Sequence, residues 1–251
     1  MGKKDGRIGE VGVSTCGEKM TIVRYGGRRD IDVQFQDGTI VEHKRYDAFK
    51  TGKVKNPYFP IVYGVGYFGI GDFKSKETGK PTKCYNTWVT MHARCYDPKC
   101  QEKYPTYKGC RVCKEWNNYQ EFAKWDNENY YEVEGETMAL DKDILCKGNK
   151  VYSAETCVYV PQSINMLFVK RDKLRGELPI GVCKKGNKFQ ASLTKGNVTI
   201  HLGYYDTPEE AFQAYKQAKE DYIKEVAEEY KGKIDPRAYE AMMKYEVEIT
   251  D

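Results

Sequence analysis

The spacing of apolar positions changes twice along the chain. Up to about residue 60 it follows period two, in short runs rich in β-branched side chains: Met20-Thr21-Ile22-Val23, Ile31-Asp32-Val33-Gln34-Phe35 and Thr39-Ile40-Val41. Alternation of this kind gives a strand one apolar and one polar face. Asp37-Gly38 separates the last two runs as a hairpin turn, and Asn56-Pro57 and Pro60 close the block. The pattern predicts a small antiparallel sheet. With so few strands to hide two edges, it is expected to be barrel-like.

Helical spacing takes over beyond residue 80. Trp88, Met91 and Cys95 predict a helix over 82–95, and Trp116, Tyr119, Phe122 and Trp125 share one face of a second helix over 115–130. An aromatic stripe at this spacing reads as core. Before these helices lies Gly64-Val65-Gly66-Tyr67-Phe68-Gly69-Ile70-Gly71. Gly64, Gly66 and Gly69 have the spacing of a phosphate-cradling loop, but no buried strand precedes them and no helix follows, so the segment reads as a bent connection. Cys157-Val158-Tyr159-Val160-Pro161 predicts a strand, and a short helix starts at Ser163.

Period two returns near 180–182, 188–193 and 198–203. Thr207-Pro208-Glu209-Glu210 then carries an N-cap, a proline suited to the first helical position and an acidic first turn. A long amphipathic helix follows to about Tyr230, and Pro236 opens another toward Tyr245. The expected fold class is α+β in three blocks. Residues 1–60 form the small β unit, 61–176 a middle block with aromatic helices, and 177–251 a three-stranded sheet packed on a long helix.

Composition narrows the class of function. Lys plus Arg is 41 and Asp plus Glu 37, a net charge of +4, too mild for a chain that coats nucleic acid indiscriminately. No run approaches 18 apolar residues, so a membrane span is not expected. No apolar segment follows Met1-Gly2-Lys3-Lys4-Asp5, so a cytoplasmic location is expected, with the nine cysteines as thiols or metal ligands. The 21 Tyr against 9 Phe suit thin cores and wet interfaces.

The third block carries a specific pattern. Gly181-Val182, Phe189-Gln190-Ala191, Leu202-Gly203-Tyr204-Tyr205-Asp206-Thr207-Pro208-Glu209-Glu210-Ala211 and Ala214-Tyr215 resemble the ethylene-responsive-factor (APETALA-type) DNA-binding domain over about 50 residues. Relatives of that domain occur in phage and mobile-element homing endonucleases. The resemblance implies a three-stranded sheet laid in the major groove of double-stranded DNA. Lys184, Lys185, Lys188, Gln190, Ser192, Thr194, Lys195, Thr199 and His201 are the expected contacts, alternating with Phe189, Ala191 and Leu193. A solvated sheet face is the other reading. Lysines stand where the family reads bases with Arg and Trp, so phosphate contact is expected rather than base readout.

In the middle block Asp141-Lys142-Asp143, Asn149 and Asn165 resemble a worn HNH (ββα-metal) nuclease motif. That resemblance implies metal-dependent phosphodiester hydrolysis, with Asp141 as base or metal ligand, Asp143 as metal ligand, Asn149 as orienting group and Asn165 as second ligand. The implied cofactor is Mg²⁺ or Mn²⁺, since oxygen donors suit hard cations. The motif departs from the family in its histidine. The chain has His43, His92 and His201, none of them here, and an ordinary aspartate is a weak base at pH 7. Arg171, Lys173 and Arg175 follow the motif as phosphate contacts or as solvated linker charges. Cys95, Cys100, Cys110 and Cys113 could hold a structural Zn²⁺ or remain thiols. The order of blocks resembles phage-encoded HNH-type endonucleases. Two expectations follow: a DNA-binding endonuclease, or a catalytically inactive DNA- or protein-binding module with a host or phage protein as partner. The sequence leaves the oligomeric state and the purpose of the N-terminal sheet open.

Overall fold

Asp37-Gly38 turns the chain as its sequence demands, with Gly38 at φ +89°, and the runs around it pair into one antiparallel sheet. Its strands are β1 (Val11–Val13), β2 (Lys19–Gly27), β3 (Asp30–Phe35) and β4 (Ile40–Lys44), in the order β1-β2-β3-β4. The computed structural model describes residues 5–169 and 178–249 of a mixed α+β chain. Its contacts group Met1–Glu128 as one unit and Asn129–Asp251 as a second.

In the first unit, Met20, Ile22, Ile31, Val33, Phe35 and Val41 alternate onto one buried face. Phe49 of the short helix α1 (Tyr46–Lys50) and Val54 complete that core. The expected barrel does not close: β1 and β4 are the edges of an open sheet. Closure is not needed, because α1 and the chain after it cover the apolar face. The edges are managed otherwise: β1 has three residues, β4 ends in Glu42-His43-Lys44, and register shifts interrupt both the β2–β3 and the β3–β4 pairing.

The glycine-rich segment is a bent connection, as its flanks imply. Val62 bridges Gly66 and Tyr67 bridges Asn118. A Cβ on Gly66 would lie 2.9 Å from the Trp88 ring, and one on Gly69, at φ +75°, would overlap Asn118 Oδ1. Gly66 and Gly69 therefore serve close packing. Two-residue strands β5 (Lys76–Glu77) and β6 (Lys80–Pro81) precede α2 (Lys83–Tyr96), which Thr82 caps by accepting the Tyr85 N–H. Trp88, Met91, His92 and Cys95 are its buried side. After α3 (Pro98–Lys103) and β7 (Arg111–Val112), the second expected helix appears in two pieces. A 3₁₀ turn over Glu115–Asn117 is followed by α4 (Tyr119–Asn129). Asn118 is extended between them, and its side chain accepts the Gln120 N–H (3.0 Å). The Tyr67 backbone bonds to Asn117 and Tyr119 on either side, so the chain pays for the kink with strand-like bonds. Trp116 still meets Phe122 and Trp125, with ring centroids 5.1 and 4.6 Å away.

The second unit opens with β8 (Met138–Asp141), β9 (Val151–Tyr152), β10 (Val158–Pro161) and α5 (Gln162–Asn165). β8 and β10 pair antiparallel, Asp141 opposite Val158 and Met138 opposite Pro161. Then come β11 (Val182–Lys185), β12 (Lys188–Lys195) and β13 (Val198–Tyr205), an antiparallel sheet in sequence order, followed by α6 (Pro208–Glu229) and α7 (Pro236–Met243). Thr207 and Glu210 form a reciprocal capping box at the start of α6. That helix serves two cores. Ala211, Phe212 and Tyr215 pack on Val182, Ala191 and Leu193 of the sheet. Ile223, Val226 and Ala227 pack on Val158, Val160 and Ile164.

Gly181 introduces the sheet at φ +75°, and a Cβ there would overlap the Tyr215 ring. Gly181→Ala combines backbone strain with a steric clash in the core, so it is expected to cost about 2–4 kcal/mol in urea unfolding. A loss below about 0.5 kcal/mol would contradict the packing described.

Candidate functional site

Pairing assigns the faces of the C-terminal sheet. Val182 opposes Ala191, Phe189 opposes Tyr205 and Leu193 opposes Ile200, and the buried members of these pairs meet α6. The pairs in between, Cys183 with Gln190, Lys185 with Lys188, Gln190 with Tyr204, Ser192 with His201 and Thr194 with Thr199, therefore look away from the helix. Seven of the nine expected contacts share this outer face: Lys185, Lys188, Gln190, Ser192, Thr194, Thr199 and His201. The other two do not. Lys184 opposes Phe189 and Lys195 opposes Val198, on the helix side. Lys195 bonds Glu225 of α6 at 2.5 Å and lies 4.7 Å from the Tyr222 ring centroid.

Sequence alternation missed Tyr204, because the register shifts between Ala191 and Ser192. Strict period two from His201 selects Gly203 and Tyr205. The shift instead places Tyr204 beside Gln190, with its ring centroid 4.6 Å from that of His201 and 57% of its surface exposed. Thr194 and Thr199 hydroxyls meet at 3.2 Å. An acid reaches this face: Asp206 pairs with Lys188 at 3.0 Å, both largely exposed. An exposed pair of that kind is weak and exchangeable.

The acidic motif forms a different kind of structure. Asp141 ends β8, and its Oδ1 accepts the backbone N–H groups of Asp143 (2.7 Å) and Ile144 (2.6 Å). Burial pushes its carboxyl above the ordinary range, partly offset by those two bonds. Lys142, between the acids, is buried, and its Nζ donates to Asp143 Oδ2 (2.5 Å) and the Asn149 carbonyl (3.0 Å). The Asn149 amide donates to the Lys142 and Val151 carbonyls and accepts the Val151 N–H. Asp141, Asp143 and Asn149 are thus brought together, with Lys142 as the member sequence reasoning passed over. Its signal was a cation between two acids where a strand ends. Asn165 closes α5, half-buried, and no hydrogen bond ties it to this set among the described residues. Arg171, Lys173 and Arg175 lie outside the described residues.

These donors do not fit a divalent cation as they stand. One Asp141 oxygen is committed to two N–H groups, and an ammonium holds Asp143. The four cysteines do not fit zinc either. Tetrahedral ligation at about 2.3 Å requires sulfurs about 3.8 Å apart. Among the described residues, only Asp30, Asp32 and His43 bring three ligand-type atoms within 4.8 Å of one another. None of the nine cysteines is in a disulfide, and burial pushes the Cys113 thiol up to about 11.

The Asp30–Asp32–His43 group is also already occupied, by Arg24. Its guanidinium bonds both carboxylates, Asp32 at 2.5 and 2.7 Å and Asp30 at 2.7 and 3.0 Å, and holds both well below the usual carboxylate range. His43, at φ +54°, donates its N–H to Asp32, and its Nδ1 lies 2.8 Å from Asp30. The network pins the irregular β3–β4 pairing. No protein-family model, curated protein or solved structure matches the chain.

The Asp141 geometry yields opposite expectations for two substitutions. Its raised carboxyl means that ionisation costs stability above the folded-state pKa, a cost relieved as pH falls through it. Asp141→Asn keeps the acceptor and removes the charge, so it should leave stability at pH 7 unchanged or raise it. Asp141→Ala orphans two N–H groups and should cost about 2–3 kcal/mol. Urea unfolding of both variants is the check, and equal losses would contradict this account.

Proposed function

We propose that the protein binds double-stranded DNA through the outer face of β11–β13. The observation that carries this reading is the sorting of Lys185, Lys188, Gln190, Ser192, Thr194, Thr199 and His201 onto one exposed face, while the opposite face is buried on α6. A β-sheet fits a major groove about 12 Å wide, and lysine, amide and hydroxyl donors suit phosphates and base edges. Tyr204 adds a ring to the same face.

Two readings remain for the acidic motif. The antiparallel β8–β10 pair followed by α5 has the strand-strand-helix order of an HNH-like endonuclease, a phage or mobile-element enzyme that hydrolyses phosphodiesters with Mg²⁺ or Mn²⁺. The state of the donors favours the other. One Asp141 oxygen is taken by two backbone N–H groups, one Asp143 oxygen by Lys142, and no histidine joins them. We therefore favour a catalytically inactive DNA-binding module, such as a phage counter-defence or regulatory factor acting on a host or phage protein in the cytoplasm. No helix among the described residues is long and apolar enough to cross a membrane.

Binding to a short duplex should weaken with salt. Two phosphate contacts give a slope of log K against log salt of about −2. Lys188→Ala should flatten that slope by about one and weaken all sequences alike. A slope of zero would remove DNA from the account, and loss on one sequence alone would make Lys188 a base reader. Supercoiled plasmid incubated with Mg²⁺ or Mn²⁺ should stay intact. Nicking by the wild type that Asp141→Ala abolishes would establish the endonuclease instead.

A further inference from the structure

Lys219 projects from α6 into a pocket of about 20 Å³ walled by Phe168, Ile180, Tyr215, Tyr245 and Val247. The neighbouring charges on its helix are committed elsewhere. Lys216 bonds Glu220 (3.3 Å) and the Val247 carbonyl (2.9 Å), Asp221 accepts from Gln217, and Glu225 holds Lys195. Lys219 has no carboxylate among the described residues. Among the described residues, the titratable groups that face it are phenols, Tyr215 and Tyr245 in the pocket wall and Tyr222 with its ring centroid 6.0 Å away. Burial alone lowers its ammonium to about 8.

An ammonium among apolar walls is desolvated, here with no ion pair in return among the described residues. Desolvation shifts the balance toward the neutral amine, which is the nucleophilic form. An amide would carry no charge into the pocket and would place a small alkyl group against apolar walls. We propose that Lys219 is a modification site that accepts a small activated acyl group from an acyl phosphate. The amine nitrogen attacks the acyl carbon and forms a C–N bond. The C–O bond to phosphate breaks with its electron pair on the departing phosphate, and the nitrogen releases its surplus proton to water.

The test is competitive labelling of the full chain with acetyl phosphate, read by peptide mass spectrometry against the exposed Lys80. Lys219 should acetylate on the order of tenfold faster at pH 7.5, because far more of it is neutral than of an ordinary lysine near 10.4. Its rate should reach half-maximum near pH 8. Labelling no faster than Lys80, or a rate still rising at pH 10, would overturn the proposal. Lys219→Met provides a check independent of the reagent. It should raise the thermal midpoint by removing a desolvated charge, and a lower midpoint would show that the pocket stabilises the ammonium and would equally overturn the proposal.

Discussion

The second unit depends on the apolar stripe of one helix. α6 has 22 residues and is about 33 Å long, enough to reach two separate cores. Its first turns bury Ala211, Phe212 and Tyr215 on the three-stranded sheet, and its last bury Ile223, Val226 and Ala227 on the β8–β10 pair and α5. A two-stranded pair such as β8–β10 is marginal by itself, and both small sheets bury their apolar faces on this helix. The capping box at Thr207 and Glu210 fixes where the stripe begins, and hence which sheet face is covered and which is left to solvent. The polar outer face is a consequence of this packing.

Two polar networks contrast with that open face. Around Asp141, Lys142 and Asn149 nearly every donor and acceptor is answered inside the loop, which makes it a rigid connection between paired strands. Around Arg24 two carboxylates and a histidine pin an irregular strand pairing. Both have the residue types of functional sites, but in both the charges are spent on one another. On the outer face of β11–β13, among the described residues, Lys188 pairs with Asp206 and the Thr194 and Thr199 hydroxyls bond each other, and both contacts are exposed.

Much of the fold was legible in the sequence because its signals are local. The Asp37-Gly38 turn, the Thr207 cap, the Trp88–Met91–Cys95 stripe and the alternation along β12 each depend on neighbours within a few residues. What escaped depends on partners far along the chain. The open first sheet follows from the cover that α1 and Val54 provide. Tyr204 joins the outer face only because the β12–β13 register slips, which no count along a single strand reveals. Lys184 and Lys195 leave that face because pairing, not charge, decides orientation. Seven of the nine residues named from alternation thus share one face of the sheet. At the acidic motif Asp141, Asp143 and Asn149 come together and Asn165 does not, and the backbone N–H groups and Lys142 that engage the two acids are not part of the motif.

The central claim is that the face of β11–β13 turned away from α6 meets DNA. Side-chain NMR of the full chain, titrated with a short duplex, tests it most directly. The account predicts shifts of the Gln190 amide and of the His201 and Tyr204 rings, with the Phe189 and Tyr205 rings on the helix side left in place. Binding that leaves Gln190, His201 and Tyr204 unmoved while shifting groups elsewhere would contradict it.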